Sequence, residues 1–264
     1  CAREIFSTFG RRAWRRPLTE TELDGLLTLV ALAEREDADF DVGIDLGLKA
    51  IMLSPNFLFR VETDPEPETE IVHSISSFEL ATRLSYFLWN SSPDDRLLDL
   101  AEEGVLNQDH VLQAQVERML QDPRAERLHR DFGRQWLQTR ALKTVQPSTS
   151  LFPEFDEGLR AAIMAETDAF FATFQQQNRD IRELITADHS FINDRLASHY
   201  GMAPIGSDDL VETDVSGRGR RGIFGQAGFL TLTSELDHTS VVKRGKWVLE
   251  QLLCTPPPPP PPDV

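Results

Sequence analysis

Pro153-Glu-Phe-Asp-Glu-Gly-Leu-Arg-Ala-Ala-Ile-Met-Ala-Glu-Thr-Asp-Ala-Phe-Phe-Ala-Thr-Phe-Gln-Gln-Gln-Asn178 is the longest clear helical pattern in the chain. Asp156 stands where an N-cap carboxylate would accept a first-turn N–H. Leu159, Ile163, Phe170 and Phe174 then fall on one stripe at helical spacing, and Gln175 to Asn178 closes it. The same grammar recurs outward from this segment. Residues 1 to 16 read as a basic amphipathic helix, with Ile5, Phe9, Ala13 and Trp14 on one face, broken by Pro17. Thr19-Glu-Thr-Glu22 and Ser76-Ser-Phe-Glu79 are capping boxes. The first introduces Leu23, Leu26, Leu27 and Val30, and the second turns Leu80, Leu84, Phe87 and Leu88 inward. The spacing predicts a further helix over Phe40 to Leu53, with Ile44, Leu48 and Ile51 sharing a face and Gly43 and Gly47 weakening it. Asp94 to Ala101, Gln108 to Leu120 and a segment started by Asp122-Pro123, in which Leu128, Phe132 and Trp136 stack, complete the set. Only Leu210-Val211 and Phe229 to Thr233 read as strands. The expected fold is mostly α, a multi-helix bundle with a small N-terminal helical unit and little or no β.

The acidic, proline-bearing run at 63–70 is the best internal linker. It sets a helical module at 1–62 apart from a central helical module at 71–205. A Gly-rich segment with a capped helix follows at 206–255. Residues 256–264 hold seven prolines, Pro256 to Pro262, a polyproline II tether about 20 Å long at roughly 3.1 Å per residue. A spacer that ends so near the end of the chain, and an opening Cys1, lead us to expect a piece of a longer protein.

The net charge of -16 argues against a nucleic-acid partner, because phosphate binding needs a positive face. No stretch is long and apolar enough for a membrane span. Three basic clusters stand out: Arg11-Arg12 with Arg15-Arg16, Arg218 with Arg220-Arg221, and Lys243-Arg244 with Lys246. They read either as internal ion pairs or as docking points for an acidic partner or haem propionates. Cys1 and Cys254 form no C-x-x-C-H pattern; they are either a disulfide joining the ends or two separate thiols.

The richest local constellation is Asp237-His238-Thr239-Ser240 with Lys243, Arg244 and Trp247. Free N–H groups and hydroxyls at a helix start could bind an anion or partner, and bases in a first turn are unfavourable unless an anion sits there. The competing reading is that Asp237 or Thr239 merely caps the helix. His238 has no second ligand at metal spacing, so no metal set is assigned. Glu166, Asp168, Asp156 and Glu157 offer carboxylates, but on a helix that needs a polar face anyway, and only Glu166 approaches the apolar stripe. No catalytic motif is present, so no catalytic residue is assigned.

Ala13-Trp-Arg-Arg-Pro17, Met52-Leu-Ser-Pro-Asn-Phe-Leu-Phe-Arg60, Leu80-Ala-Thr-Arg-Leu-Ser-Tyr-Phe-Leu-Trp89, Phe132-Gly-Arg-Gln-Trp-Leu137, Phe191-Ile-Asn-Asp-Arg-Leu-Ala-Ser-His-Tyr-Gly201 and Lys243-Arg-Gly-Lys-Trp247 resemble the motifs of one bacterial family. It is the planctomycete-specific and planctomycete cytochrome c-type multidomain family of unknown function, found in planctomycetes and myxobacteria. The resemblance covers almost the whole chain. It implies export to the periplasm or cell surface, and haem c in the full-length parent beyond the proline run but none attached here. It also implies a neighbouring haem domain of the same chain as partner, with an unknown redox or polymer partner beyond it, and a parent that is an oxidoreductase. The reading that follows is a structural and docking platform positioning that haem domain for electron transfer. The alternatives are an enzyme domain with a pocket near His238 and Arg244 acting on a carbohydrate or other polymer-derived substrate, and a protein-interaction module exposing Phe224 and Phe229.

Overall fold

The structure is a computed structural model that describes residues 1–62 and 73–258. The fold is mostly α, with a single two-stranded sheet among the described residues. The chain divides into two compact units, Cys1–Ala125 and Glu126–Val264. That division falls inside the segment expected as one module at 71–205. The linker at 63–70 and the last six residues of the tether lie outside the described residues.

In the first unit α1 (Ala2–Trp14), α2 (Glu20–Arg35) and α3 (Phe40–Leu53) enclose a core of Phe6, Leu23, Leu26, Val30 and Ile51. The Thr19–Glu22 capping box forms in both directions, satisfying two first-turn N–H groups. On α3 the buried face is Gly43, Gly47 and Ile51, not the expected Ile44, Leu48 and Ile51. The reason is the fully buried Phe6 ring, which lies where a Cβ on Gly47 would stand, 2.2 Å away. A residue that weakens the helix locally is the one that lets the aromatic ring in. A short α4 (Pro55–Leu58) follows.

The first basic cluster is spent internally. Arg11 pairs with Asp99 and Glu102, Arg12 with Asp95 and Arg16 with Glu22. Buried Arg15 donates to the carbonyls of Asn56, Phe57 and Phe59, closing the C-terminal end of α4.

Helices α5 (Ser77–Trp89), α6 (Asp95–Glu102) and α7 (Asp109–Gln121) finish this unit. Phe87, expected inside, is exposed. The fully buried Trp89 fixes the helix rotation, donating Nε1–H to the Met119 carbonyl at 2.9 Å beneath the Arg124 guanidinium, 3.5 Å from its ring. Two residues earlier means about 200° round the axis, so Phe87 faces out. The Ser76 cap makes the same reciprocal bonds with Glu79. Ser76→Ala should therefore cost about 1 kcal/mol, read as a lower urea midpoint at unchanged slope.

The second unit opens with a π-helical turn, Leu128–Phe132, running into α8 (Gly133–Trp136), where an ordinary helix was expected. The Phe132 and Trp136 rings do meet, at 5.8 Å. The axis of the unit is α9 (Glu157–Gln176), capped by Asp156 as its sequence predicts. Two apolar clusters sit along it. Leu159 and Ile163 join Ile192, Leu196, Val215 and Ala227 at one end; Phe170 joins Leu137, Leu184, Ile223, Phe229 and Trp247 at the other. Glu166 and Thr167 lie buried between them.

After α10 (Glu183–Thr186), β1 (His189–Ile192) pairs antiparallel with β2 (Val211–Asp214), His189 opposite Asp214 and Ile192 opposite Val211. Between them is α11 (Asp194–His199). The expected strand at Leu210-Val211 corresponds to the start of β2. The one expected at Phe229 to Thr233 is instead α12 (Ala227–Leu232) and its C-cap, where Thr233 and Ser234 hydroxyls bond back to the Phe229 and Leu230 carbonyls. The last helix is α13 (Val241–Trp247), continued by a second π-helical turn, Val248–Leu252. Phe229 is buried and Phe224 half-buried, and both rings pack on Trp247 at 5.0 and 6.4 Å, so the surface patch expected of an interaction module is absent at these residues.

Candidate functional site

The polar seam between the two cores of the second unit converges on one carboxyl group. Glu166, 1% exposed, accepts from Ser190 Oγ on Oε1 at 2.7 Å and from the Tyr200 hydroxyl on Oε2. Tyr200, just past α11, accepts in turn from the Ala227 N–H at 2.8 Å, at the start of α12. Thr167 Oγ1 donates to Gln226 Oε1 at 2.9 Å. Arg220 lies over the Tyr200 ring, 3.9 Å from its centroid, and is held there by the Gly225 carbonyl at 2.5 Å. Burial pushes the Glu166 carboxyl up to about 7, against the pull of the Tyr200 and Ser190 hydrogen bonds. Burial, and then the neighbouring Glu166 charge, raises Tyr200 well above the usual phenol range. Further along the seam, Thr139 Oγ1 and Trp247 Nε1 are buried without a protein partner on a void of about 10 Å³, room for one water molecule.

Tyr200 and Ala227 also form part of the wall of a larger cavity, about 430 Å³. Phe152 and Phe155 supply aromatic surface; His199, Arg220 and Arg244 are among its polar groups, and Glu154 faces the same space. Burial holds His199 below the usual imidazole range, the Glu154 charge opposing and the Arg220 charge assisting. Glu166 is one side chain removed, behind Tyr200.

The residues singled out from sequence divide in two. His238, Thr239 and Arg244 line this cavity. His238 is exposed, its Nδ1 2.6 Å from Asp237 Oδ1. Arg244 gives its Nε–H to Thr233 Oγ1 at 3.4 Å. The other three do other work. Ser240, rather than Asp237 or Thr239, caps α13. Lys243 pairs with Glu235 at 2.8 Å, so its first-turn charge is answered within the protein. Trp247 is core. Of the remaining basic clusters, Arg221 pairs with Asp188 and Lys246 with Glu250. Cys1 and Cys254 are each exposed free thiols in their own units.

What sequence reading missed is the seam itself. Glu166 is visible as the one carboxylate near an apolar stripe, yet Ser190, Tyr200 and the turn holding Arg220 and Gln226 come from three other segments that no sequence pattern joins to it. The donor set does not fit covalently attached haem: the only two cysteines stand in no C-x-x-C-H arrangement, and no cluster of three or more His, Cys, Asp or Glu suited to a metal occurs among the described residues. No helix among them is long and apolar enough to cross a membrane.

The chain is thus made of helical units, one of them built around a buried carboxyl beside a cavity. Its family is shown by three family models that match in succession along the chain. Residues 1–62 match PSD5, Protein of unknown function (DUF1595); residues 75–202 match PSD4, Protein of unknown function (DUF1592); and residues 220–264 match PSCyt3, Protein of unknown function (DUF1588). The chain belongs to the planctomycete cytochrome c-type domain families of unknown function. No curated protein and no solved structure matches it significantly.

Proposed function

We propose that this chain is the binding and docking platform of an exported cytochrome c-type multidomain protein. In this reading the second unit takes a small polar molecule in its cavity, and the proline tether holds a haem domain as neighbour for electron transfer. The observation that carries the ligand half is the convergence of His199, His238, Arg220, Arg244 and Glu154 on one cavity of about 430 Å³ with aromatic surface, a volume within the range of small-molecule sites. The haem half rests on the family alone. Two experiments test it. A thermal-shift screen of sugars and small acids should find a compound that stabilises the protein, and Leu230→Trp, filling the cavity, should abolish that shift; a shift that survives the filling rules this cavity out. The full-length protein should show the absorption bands of haem c; a parent without haem removes the electron-transfer half.

A catalytic reading is favoured by one observation: a carboxyl raised to about 7 lies a single hydroxyl away from the cavity wall. That is the range in which a proton donor or acceptor works best near neutrality. Tyr200 would relay, accepting a proton from the ligand at its oxygen while passing its own to Glu166 Oε2. Turnover of a bound compound that is lost in Tyr200→Phe with binding retained is the expected result. Turnover undiminished in that variant excludes the relay.

A further inference from the structure

Resting on the cavity being a ligand site, we infer that its ligand is an acidic sugar: a hydroxylated ring carrying one carboxylate, bound by Arg220 and Arg244. The argument begins from charge. The chain has an excess of sixteen acids over bases, and most cations of the second unit have found one. Arg134 pairs with Asp168, Arg179 with Glu212, Arg195 with Asp156, Arg221 with Asp188 and Lys243 with Glu235. Arg220 and Arg244 have not. Each gives one N–H to a neutral oxygen, the Gly225 carbonyl and the Thr233 hydroxyl, and among the described residues neither has a carboxylate at ion-pair distance. Both are half-buried and both line the cavity.

A guanidinium offers five donors in a planar fork, so each has donors to spare, in the arrangement that a planar carboxylate accepts two at a time. Arg220 feels the Glu166 charge behind Tyr200, but neither guanidinium is directly paired, and a half-buried cation gains from a carboxylate brought to hydrogen-bonding distance. Three carboxylates line the same cavity and narrow the class: Glu235 is paired with Lys243, Asp237 sits beside His238, and Glu154 is the third. Glu154 faces the same cavity without an ion pair of its own among the described residues. It would repel a doubly charged phosphate but accepts hydrogen bonds from hydroxyls. Phe152 and Phe155 give the C–H face of a pyranose an apolar surface. One carboxylate, several hydroxyls and one apolar ring face together describe a uronic acid unit.

The test uses pairs of probes that differ only at the carboxylate. D-galacturonic and D-glucuronic acid, their short oligomers, the matching neutral sugars and inorganic phosphate are titrated calorimetrically into the protein. A uronate should bind about 10- to 100-fold more tightly than its neutral partner, and the gap should shrink with added salt. Arg244→Gln should close most of that gap while leaving the melting temperature in place, Arg244→Lys should restore part of it, and Leu230→Trp should abolish binding. A neutral sugar bound as tightly as its uronate, and lost in Leu230→Trp, overturns the acidic-sugar inference while the cavity remains a ligand site. Phosphate bound in preference to every uronate also overturns it. Binding of any probe that is unaffected by Leu230→Trp overturns the cavity reading itself, and no binding by any probe overturns the acidic-sugar assignment.

Discussion

Glu166→Gln should flatten the pH dependence of the second unit's stability, which in the unmodified protein is expected to fall by about 3 kcal/mol between about pH 4.5 and pH 7. The sign follows from the direction of the shift. The folded unit holds this carboxyl's proton up to about pH 7, while the unfolded chain releases it near its ordinary value of 4.5. Between those values the native state binds more protons, so stability is fully present below about 4.5 and falls as pH rises through 7. Each pH unit of that window is worth about 1.4 kcal/mol, giving a loss on the order of 3 kcal/mol. Glutamine keeps the shape, accepting from Tyr200 with its oxygen and donating to Ser190 Oγ with its amide, but cannot ionise. Other groups do not imitate the effect. The strongly paired carboxylates Glu22, Asp122 and Asp180 sit at about 2 and lose their contribution only under acid conditions. His199, depressed by burial, acts with the opposite sign, adding stability as pH rises through its range. Urea midpoints at pH 5, 6, 7 and 8 decide the matter: an undiminished slope with pH in the glutamine variant would show that another group titrates.

The second large effect is expected at Gly222, which closes the turn carrying Arg220 and Gln226 into the seam. Its φ of 45° and ψ of -152° lie where side chains are strained, and its N–H is tied to the Ala187 carbonyl at 2.9 Å. A Cβ there would stand 2.3 Å from the Leu184 carbonyl oxygen and 2.7 Å from Ile185 Cα, both backbone atoms that cannot swing aside. Strain of about 1–3 kcal/mol adds to a clash of similar size, so Gly222→Ala should destabilise by about 3 kcal/mol or more and leave little folded protein. Gly217→Ala is the control. A Cβ there meets nothing within 4 Å, so it should change stability by no more than a few tenths of a kcal/mol, or improve it. Equal behaviour of the two variants in thermal and urea unfolding would refute the argument.

How far the sequence led depends on whether a residue's partner was local. Both capping boxes and α9 were legible because cap and stripe lie within a few residues of each other. Strand β1 was not, because its two inward positions are Ser190 and Ile192. Ser190 faces in to hold Glu166, so the apolar alternation that announces a strand is interrupted by the very residue that serves the site. At Phe229 to Thr233, β-branched and aromatic residues spoke for a strand, but packing on Trp247 and hydroxyl back-bonds put them in a helix. His238, Thr239 and Arg244 could be picked out by type, but only the folded chain brings them to the same cavity as Tyr200 and Arg220.

The π-helical turn at Val248–Leu252 has a mechanical corollary. Such a turn carries one residue more than the regular spiral around it, and the carbonyl of Gln251 within it accepts from Trp136 Nε1 at 2.7 Å. Removing a single residue there would let the coil close into ordinary register. It would also swing Cys254 and the prolines after it by about 100° about the axis. The bearing on which the tether departs is thus set by one inserted amino acid, in a turn whose Val248 and Leu252 also pack on the Phe170–Trp247 core.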